Sequence, residues 1–270
     1  MDKRILIGGA VVVIILGILV FPKGKQNIGE TTVKQDTTGK QLYDQASSLR
    51  AKGDIVQAKG AYQKILTDHP DFGDIEKVQK ELEDLNMKLI FSSTPVENKT
   101  VIHKVESGDT LGALAKKYGT TIELIQKSNN LSSNVIRIGQ KLRIWIQPFN
   151  IFVDKSQNIL ILKSGNDVLK VYSVSTGNEN STPIGEFTIT SRLVDPVWFN
   201  KGIVVPPESP QNVLGSRWLG FDRAGYGIHG TIDPETIGQQ VTAGCIRMRN
   251  EDVEEIYSLI PRGTKVVVVN

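Results

Sequence analysis

The chain begins with an uninterrupted apolar stretch. Ile5–Phe21 are 17 consecutive uncharged, mainly apolar residues, which as a helix would be about 25 Å long. That length is just sufficient for one membrane span. Lys3 and Arg4 precede the stretch, and no small-x-small cleavage site comes before Pro22. We therefore expect an uncleaved transmembrane signal-anchor over residues 1–22, with the rest of the chain exported, and a cleaved signal peptide is the alternative.

A helical pattern follows a polar, aperiodic linker at residues 23–39. Over residues 40–90, apolar side chains recur every three or four positions in three stretches, which predicts a helical hairpin and a third amphipathic helix. Small and aromatic residues in this segment occur in an order that resembles one tetratricopeptide (TPR) repeat, which implies a protein partner; an ordinary three-helix spacer is the alternative. These residues are Ala46, Gly53, Ala58, Tyr62, Leu66 and Pro70.

A shorter mixed pattern follows a second linker at residues 91–100. Over residues 101–146 the sequence predicts a strand, a helix that begins at the Asp109-Thr110 cap, a second helix from Thr121 and a final strand. We therefore expect a small β-α-α-β domain in this region.

Residues 149–270 contain short strands separated by Gly, Pro and Asn turns, which predicts an antiparallel β domain. A helix is expected only near the end, where Asn250 would cap Glu251–Ile260. Trp198 and Trp218 are expected in the core of this domain, and the alternative is that they line a groove. The fold class is thus multidomain: a transmembrane helix, a small all-α TPR-like segment, an α+β domain and a mainly-β domain.

Composition narrows the classes of function. Of the 270 residues, 39% are hydrophobic and 23% are charged, as in ordinary globular proteins. The formal net charge is only +3, without a dense basic stripe, so no nucleic-acid partner is expected. The single cysteine, Cys245, excludes an internal disulfide and a multi-thiolate metal site. No metal or diffusible cofactor is implied.

The β domain contains one thiol and one histidine. Cys245 can act as a nucleophile only as a thiolate, so it needs a base or a cation within reach. His229 is the only histidine of this domain, whereas His69 and His103 are expected at the surface. In an extended segment Arg247 would face the same side as Cys245 and place a positive charge near the thiol. The alternative is that Cys245 is a buried small hydrophobe.

The stretch from His229 to Met248, HGTIDPETIGQQVTAGCIRM, resembles the signature of L,D-transpeptidases of the YkuD type, which consists of HG, a spacer and S/T-x-G-C-h-R. This resemblance implies that Cys245 attacks the carbonyl of the third residue of a tetrapeptide stem and expels the terminal D-Ala. His229 would take the thiol proton, and the carbonyl of Gly230 would orient the imidazole.

The same resemblance implies roles for the neighbours of the cysteine. Gly244 and Cys245 would supply the oxyanion donors, and Thr242 and Arg247 would support the site. Ala243 stands where many members of the family carry His or Lys, which implies altered substrate contact with the chemistry retained.

The domain at residues 101–146 resembles a LysM domain along its whole length, from SGDTL through NNL to IGQKL. This resemblance implies binding of N-acetylglucosamine-containing glycans in a shallow groove between two loops. The residues of those loops are Gly108, Asp109, Thr110, Leu111, Asn129, Asn130 and Leu131. The alternative is that Asp109 and Thr110 only cap a helix and that Asn130 only turns the chain.

Taken together, these features predict a peptidoglycan L,D-transpeptidase in the cell membrane. It would be single-pass, held by lipid through its N-terminal helix, with its C-terminal domains outside the cytoplasm facing the cell wall. The acyl group would pass to an amine of a neighbouring stem, giving a 3→3 cross-link, while the LysM domain binds wall glycan. The alternatives are an L,D-carboxypeptidase that uses water as the acceptor and a non-catalytic wall-binding scaffold.

Overall fold

The computed structural model of the protein describes residues 37–200 and 202–270, with the backbone alone for Asn200. The expected membrane anchor at residues 1–22 lies outside these residues. Within the described part of the chain, none of the helices has the length and apolar character needed to cross a membrane. The chain divides into two compact units, of which the first ends at Leu89 and the second is Ile90–Asn270.

The first unit is helical, as the periodicity predicts. It contains α1 (Thr37–Ala51), α2 (Ile55–Asp68) and most of α3 (Ile75–Phe91). Asp54 caps α2 by accepting a hydrogen bond from the Gln57 N–H at 3.2 Å. Small and apolar side chains from the three helices form one core: Ala46, Ala58, Tyr62, Ile65, Leu66, Val78, Leu82 and Leu85. The helices and their buried face are therefore as predicted, and the TPR assignment stays a prediction.

The second unit begins with the predicted β-α-α-β domain. Its elements are β1 (Thr100–Lys104), α4 (Leu111–Tyr118), α5 (Ile122–Ser128) and β2 (Lys141–Trp145), with the two strands antiparallel. The helices begin where hydroxyl side chains cap them, because Thr110 accepts from the Ala113 N–H and Thr121 accepts from the Leu124 N–H. The core is formed by Val105, Leu111, Leu114, Ala115, Ile125, Leu142 and Ile144.

The rest of the second unit is built on an eight-stranded sheet in the order β13-β11-β10-β7-β14-β3-β4-β5. Its strands are β3 (Phe149–Asp154), β4 (Ile159–Ser164), β5 (Asp167–Ser173), β7 (Gly185–Val194), β10 (Arg217–Phe221), β11 (Gly227–His229), β13 (Ile246–Arg247) and β14 (Lys265–Val269). Two short pairs lie beside it: β6 (Thr176–Gly177) with β12 (Gln240–Thr242), and β8 (Trp198–Asn200) with β9 (Ile203–Val205).

The expectation of an antiparallel domain holds for five strand pairs of the eight-stranded sheet and is wrong for two. β14 pairs with β3 in parallel, and β11 pairs with β13 in parallel. Both parallel pairs join segments that are distant in sequence or separated by a long loop, which a hairpin turn cannot connect. The second of these pairs is where the candidate catalytic residues meet.

The last helix, α6 (Asn250–Leu259), corrects a second expectation. Asn250 is its first residue, and Arg249 occupies the cap position without a side-chain hydrogen bond to the helix. The Asn250 side chain turns away from the helix, towards the backbone at Ser216 and Thr231. A residue type that usually caps helices is used here for a tertiary contact.

Helices α5 and α6 join the β-α-α-β domain to the sheet domain. Lys127 Nζ donates to Ser258 Oγ at 2.7 Å, and Glu123 forms a 3.2 Å ion pair with Arg192 on β7. The Thr121 hydroxyl, besides capping α5, donates to the carbonyl of Ser258. Because these contacts are partly buried, the two domains pack as parts of one unit.

Candidate active site

His229 ends the short strand β11, between β10 and β13 near one edge of the sheet. It pairs with Trp218 on β10 and with Arg247 on β13. Paired residues on neighbouring strands point to the same side of a sheet. The imidazole therefore shares a face with the indole of Trp218 and the guanidinium of Arg247.

Cys245 directly precedes β13, and its side chain contacts the backbone at the beginning of β11. Its Sγ donates to the carbonyl of Gly225 at 3.4 Å, and the N–H of Gly227 bonds the sulfur. Gly227 and His229 are two positions apart on β11, so they share a face. The fold thus brings the predicted nucleophile and the predicted base to one edge of the sheet, from positions separated by a long loop.

His229 is a buried, neutral base. It is 4% exposed, and burial lowers its pKa to about 4. Hydrogen bonds to the Gly230 and Leu214 carbonyls oppose this lowering, and the Arg247 charge adds to it. The Gly230 carbonyl can only accept, so the 2.7 Å contact with Nδ1 requires the proton on Nδ1. The neutral ring then keeps its lone pair on Nε2, the atom that a general base needs.

The Cys245 thiol is also neutral. Burial raises its pKa above the ordinary value of 9.0, and the Gly227 N–H and the Arg247 charge oppose this only in part. The thiol proton points at Gly225 in this structure, so transfer to the imidazole requires a rotation about the Cβ–Sγ bond. The pair therefore exists as thiol and imidazole, and not as thiolate and imidazolium.

The turn that carries the nucleophile is held by Thr242. Its hydroxyl donates to the Cys245 carbonyl at 2.6 Å and accepts from the Gly244 N–H at 3.2 Å. The Gly244 amide, predicted as an oxyanion donor, is thus directed at Thr242 in this structure. Gly244 has φ +129°, and a Cβ there would lie 2.8 Å from the Tyr226 ring, so glycine is required at this position.

Arg247 lies beside the pair, as the sequence predicts. Its charge lowers the pKa of both His229 and Cys245, which places it near both groups. Its Nη1 donates to Thr236 Oγ1 at 2.9 Å. Ala243, by contrast, is exposed at the tip of the turn, where a substrate can contact it.

Sequence reasoning did not assign Trp218, Tyr226 or Asn250 to this site. Trp218 is half-buried and stacks on His229 with 5.9 Å between ring centroids, so its expected place in the core was wrong and the groove-lining alternative fits it better. Trp198 is also only half-buried, on β8. Tyr226 packs on Gly244, and Asn250 binds the backbone beside His229. The signal for Trp218 was its position in a strand pairing with the histidine, which the sequence does not display.

The predicted glycan-binding residues of the first LysM loop differ in exposure and in structural role. Gly108 is exposed with φ +90°, and Thr110 caps α4, which is the alternative role considered for it. Leu111 is 1% exposed, so the expectation that it contacts glycan is wrong, because it belongs to the domain core. Asp109 does not cap the helix: it accepts from the Glu106 N–H, which together with His103 lowers the pKa of its carboxyl.

Two further expectations for this domain change. His103 lies between Tyr118 and Asp109, at 3.0 and 2.8 Å, and its side chain is only 10% exposed, so its placement at the surface was wrong. Asn129 uses its carboxamide to bind the Arg143 backbone, which makes it a structural residue.

A cavity of about 790 Å³ lies on the second loop of this domain. Its lining residues are Asn130, Leu131, Ser132, Ser133, Val135, Arg137 and Gln140. Asn130 is exposed, with φ +53°, and Leu131 is half-buried. The second loop thus lines a cavity, while Gly108 and Thr110 of the first loop are exposed, and the glycan-binding roles of both loops stay predictions.

Comparison with known proteins gives the same two domains. The family model of the L,D-transpeptidase catalytic domain (YkuD) matches residues 148–268, and that of the LysM domain matches residues 103–145. An L,D-transpeptidase of Mycobacterium smegmatis is a solved structure with a TM-score of 0.40 and 19% identity, covering 50% of this chain and 65% of that one. At these values it adds nothing to the assignment.

Two relatives from Bacillus subtilis (strain 168), both named after L,D-transpeptidase activity, are closer in sequence. YqjB is 42% identical over 126 residues, which is 44% of this chain and 70% of that protein. YkuD is 33% identical over 174 residues, which is 62% of this chain and 97% of that protein. The chain therefore belongs to the L,D-transpeptidase (YkuD) family and carries a LysM domain before its catalytic domain.

Proposed function

We propose that this protein is a peptidoglycan L,D-transpeptidase that carries the acyl group on Cys245. One observation supports this most directly. His229, neutral and bonded through Nδ1 to the Gly230 carbonyl, ends strand β11, and the only thiol of the chain contacts the backbone at the beginning of that strand. The Nδ1 bond keeps the lone pair of the neutral ring on Nε2, as a general base requires, with a backbone carbonyl in place of a carboxylate.

The chemistry consists of two acyl transfers. The Cys245 proton passes to Nε2 of His229 while the sulfur attacks the carbonyl between the third stem residue and the terminal D-Ala. The C–N bond then breaks, the leaving amine takes the proton from Nε2, and a thioester remains on the sulfur. An amine of a neighbouring stem next attacks the thioester, His229 receives its proton, and the thiol is regenerated as the 3→3 cross-link forms.

Charge that develops on the attacked carbonyl oxygen needs donors at the turn of the nucleophile. The Cys245 N–H is one donor. The Gly244 N–H becomes the second when substrate displaces its 3.2 Å bond to Thr242, a weak bond that the hydroxyl can release while keeping its 2.6 Å bond to the Cys245 carbonyl. Arg247 supplies a fixed positive charge beside the thiol.

The LysM domain holds the enzyme on its polymer. Its exposed second loop, at Asn130 and Leu131, binds N-acetylglucosamine-containing glycan, and the packing of α5 on α6 keeps that loop at a fixed distance from the catalytic sheet. Binding one part of an insoluble polymer raises the local concentration of the stem peptides.

The chain is anchored in the cell membrane by residues 1–22, with the catalytic and LysM domains outside the cytoplasm facing the wall. The apolar run Ile5–Phe21 and the preceding Lys3 and Arg4 support this placement. The helices of residues 40–90 act as a TPR-like spacer that binds a protein partner.

The test is product analysis with disaccharide-tetrapeptides. The full chain should give dimers that lack one D-Ala, identified by mass. Tripeptide alone would assign the chain as an L,D-carboxypeptidase, and no turnover would leave a wall-binding scaffold. A carbapenem should leave a covalent adduct on the wild-type chain and none on Cys245→Ala, and an adduct on that variant would refute the nucleophile assignment.

A further inference from the structure

The Asn250 side chain binds two backbone segments beside the active site. Its Oδ1 accepts from the N–H groups of Ser216 at 3.1 Å and of Thr231 at 3.0 Å, and its Nδ2 donates to the Thr231 carbonyl at 2.8 Å. Two N–H donors on one atom and a carbonyl on the other fix which end of the carboxamide is the oxygen. Three bonds to the main chain from one partly exposed side chain are more than a surface role requires.

One of these bonds acts on the peptide unit that orients the catalytic base. The Gly230–Thr231 peptide carries the Gly230 carbonyl, which accepts from Nδ1 of His229, and the Thr231 N–H, which donates to Asn250. Because a peptide is planar, fixing the direction of the N–H also fixes the direction of the carbonyl. A hydrogen bond at the N–H end further polarises the carbonyl and strengthens its bond to the imidazole.

The surrounding backbone leaves space for this carboxamide. A Cβ at Gly230 or at Gly215 would overlap Oδ1 of Asn250. Gly215 also has φ +63°, in the left-handed region that favours glycine. The adjacent Leu214 carbonyl acts on the His229 ring, so the Ser216 bond steadies a second segment that contacts the base.

Helix capping does not explain these bonds. Asn250 is the first residue of α6, and the cap position belongs to Arg249. All three bonds of the carboxamide go to the loops at Ser216 and Thr231, outside the helix.

We propose that Asn250 is a positioning residue for the catalytic base: its carboxamide holds the Gly230–Thr231 peptide so that His229 keeps Nδ1 on the Gly230 carbonyl and presents Nε2 to the thiol. The inference rests on the proposed function, because the base must take the proton of Cys245. Asn250 itself touches neither the thiol nor the imidazole and acts through the backbone.

The test compares two reactions of the same thiol in the full chain. Acylation by a carbapenem, followed by intact mass, needs the base, whereas alkylation by iodoacetamide needs only the thiolate. Asn250→Ser keeps a residue that suits a helix start but is too short to bridge both loops. It should slow acylation about 10- to 100-fold, as expected for a displaced base, and leave alkylation nearly unchanged at a temperature where the variant is folded. Arg249→Ala, the exposed neighbour, is the matched control and should acylate like wild type.

Asn250→Asp gives an independent readout. It keeps the acceptor atoms and adds a negative charge next to the peptide, so acylation should stay within a few-fold of wild type while its acid limb moves to higher pH. Arg247, whose charge acts on His229, is the same in every variant.

The inference would be overturned if the carbapenem acylates Asn250→Ser at the wild-type rate, or if the acid limb of Asn250→Asp does not move. If the serine variant does not fold, the aspartate variant decides alone. Absence of acylation in the wild-type chain would instead refute the proposed function and the inference with it.

Discussion

The neutral state of the catalytic pair predicts different pH profiles for two reactions of Cys245, nearly flat for acylation and rising for alkylation. Acylation through general-base catalysis requires neutral His229, whose pKa is lowered to about 4 by burial. Lowering the pKa keeps the imidazole neutral as the pH falls, so acylation is lost only as the pH drops through about 4. Alkylation requires the thiolate, whose population at neutral pH is small because burial raises the pKa of the thiol.

The neutral fraction of the imidazole at pH 5.5 distinguishes a buried His229 from an ordinary one. At pH 5.5 an imidazole with a pKa of about 4 is roughly 97% neutral, whereas one with the ordinary 6.5 is roughly 9% neutral. Carbapenem acylation should therefore change less than about twofold between pH 7.5 and 5.5, instead of falling about tenfold. Iodoacetamide alkylation should rise about tenfold per pH unit from pH 6 to 9 without a plateau.

Both rates can be followed by intact mass, because Cys245 is the only thiol of the chain. The thermal midpoint at each pH shows that the chain stays folded over the range. A midpoint of acylation near pH 6.5 would show that the imidazole is not buried as described. An alkylation plateau at or below neutral pH would show a thiolate–imidazolium pair and refute the neutral pair.

Three further predictions can be tested by substitution. His229→Gln should slow acylation at least about 100-fold while binding of the chain to isolated peptidoglycan is unchanged; lost binding would mean that the catalytic and glycan-binding roles are not separate. Gly244→Ala, which adds a Cβ 2.8 Å from Tyr226 at φ +129°, should nearly abolish acylation, whereas Ala243→Ser at the exposed neighbouring position should stay within about twofold. Lys155 is buried and donates to two backbone carbonyls, so Lys155→Met should lower the unfolding free energy by about 3 kcal/mol in a denaturant titration, and an unchanged midpoint would contradict this.

Local signals predicted the elements well and long-range contacts poorly. The hydroxyl caps at Thr110 and Thr121 mark helix starts that the structure confirms, because a cap depends on residues three positions apart. The parallel pairing of β11 with β13 depends on the 16-residue connection that runs from Gly230 to Cys245, both included, and has no local signature. Without that pairing, the sequence could name Cys245 and His229 but not their neighbour Trp218.

Leu111 and Asn250 show why the remaining expectations failed. Leu111 adjoins the exposed turn at Gly108 in sequence, but it is the first residue of α4 and faces the core. Asn250 has the residue type and position of a helix cap, yet the backbone at Thr231 offers its carboxamide more partners than the helix does. In both cases a tertiary environment that the sequence does not display decides the role of the side chain.

The neutral pair also determines where catalysis must come from. Because burial raises the pKa of the thiol and lowers that of the imidazole to about 4, moving the proton from Cys245 to His229 is strongly unfavourable before the attraction between the two new charges is counted. A free thiolate is therefore not the species that waits for substrate. Proton transfer becomes favourable only as the sulfur bonds to the substrate carbonyl and the charge moves to an oxygen near the Cys245 N–H. Gly230 orients the imidazole so that Nε2 faces the reaction, and Thr242 holds the turn that carries Cys245. Changes at these residues should affect acylation far more than alkylation, because their contribution exists only in that transition state.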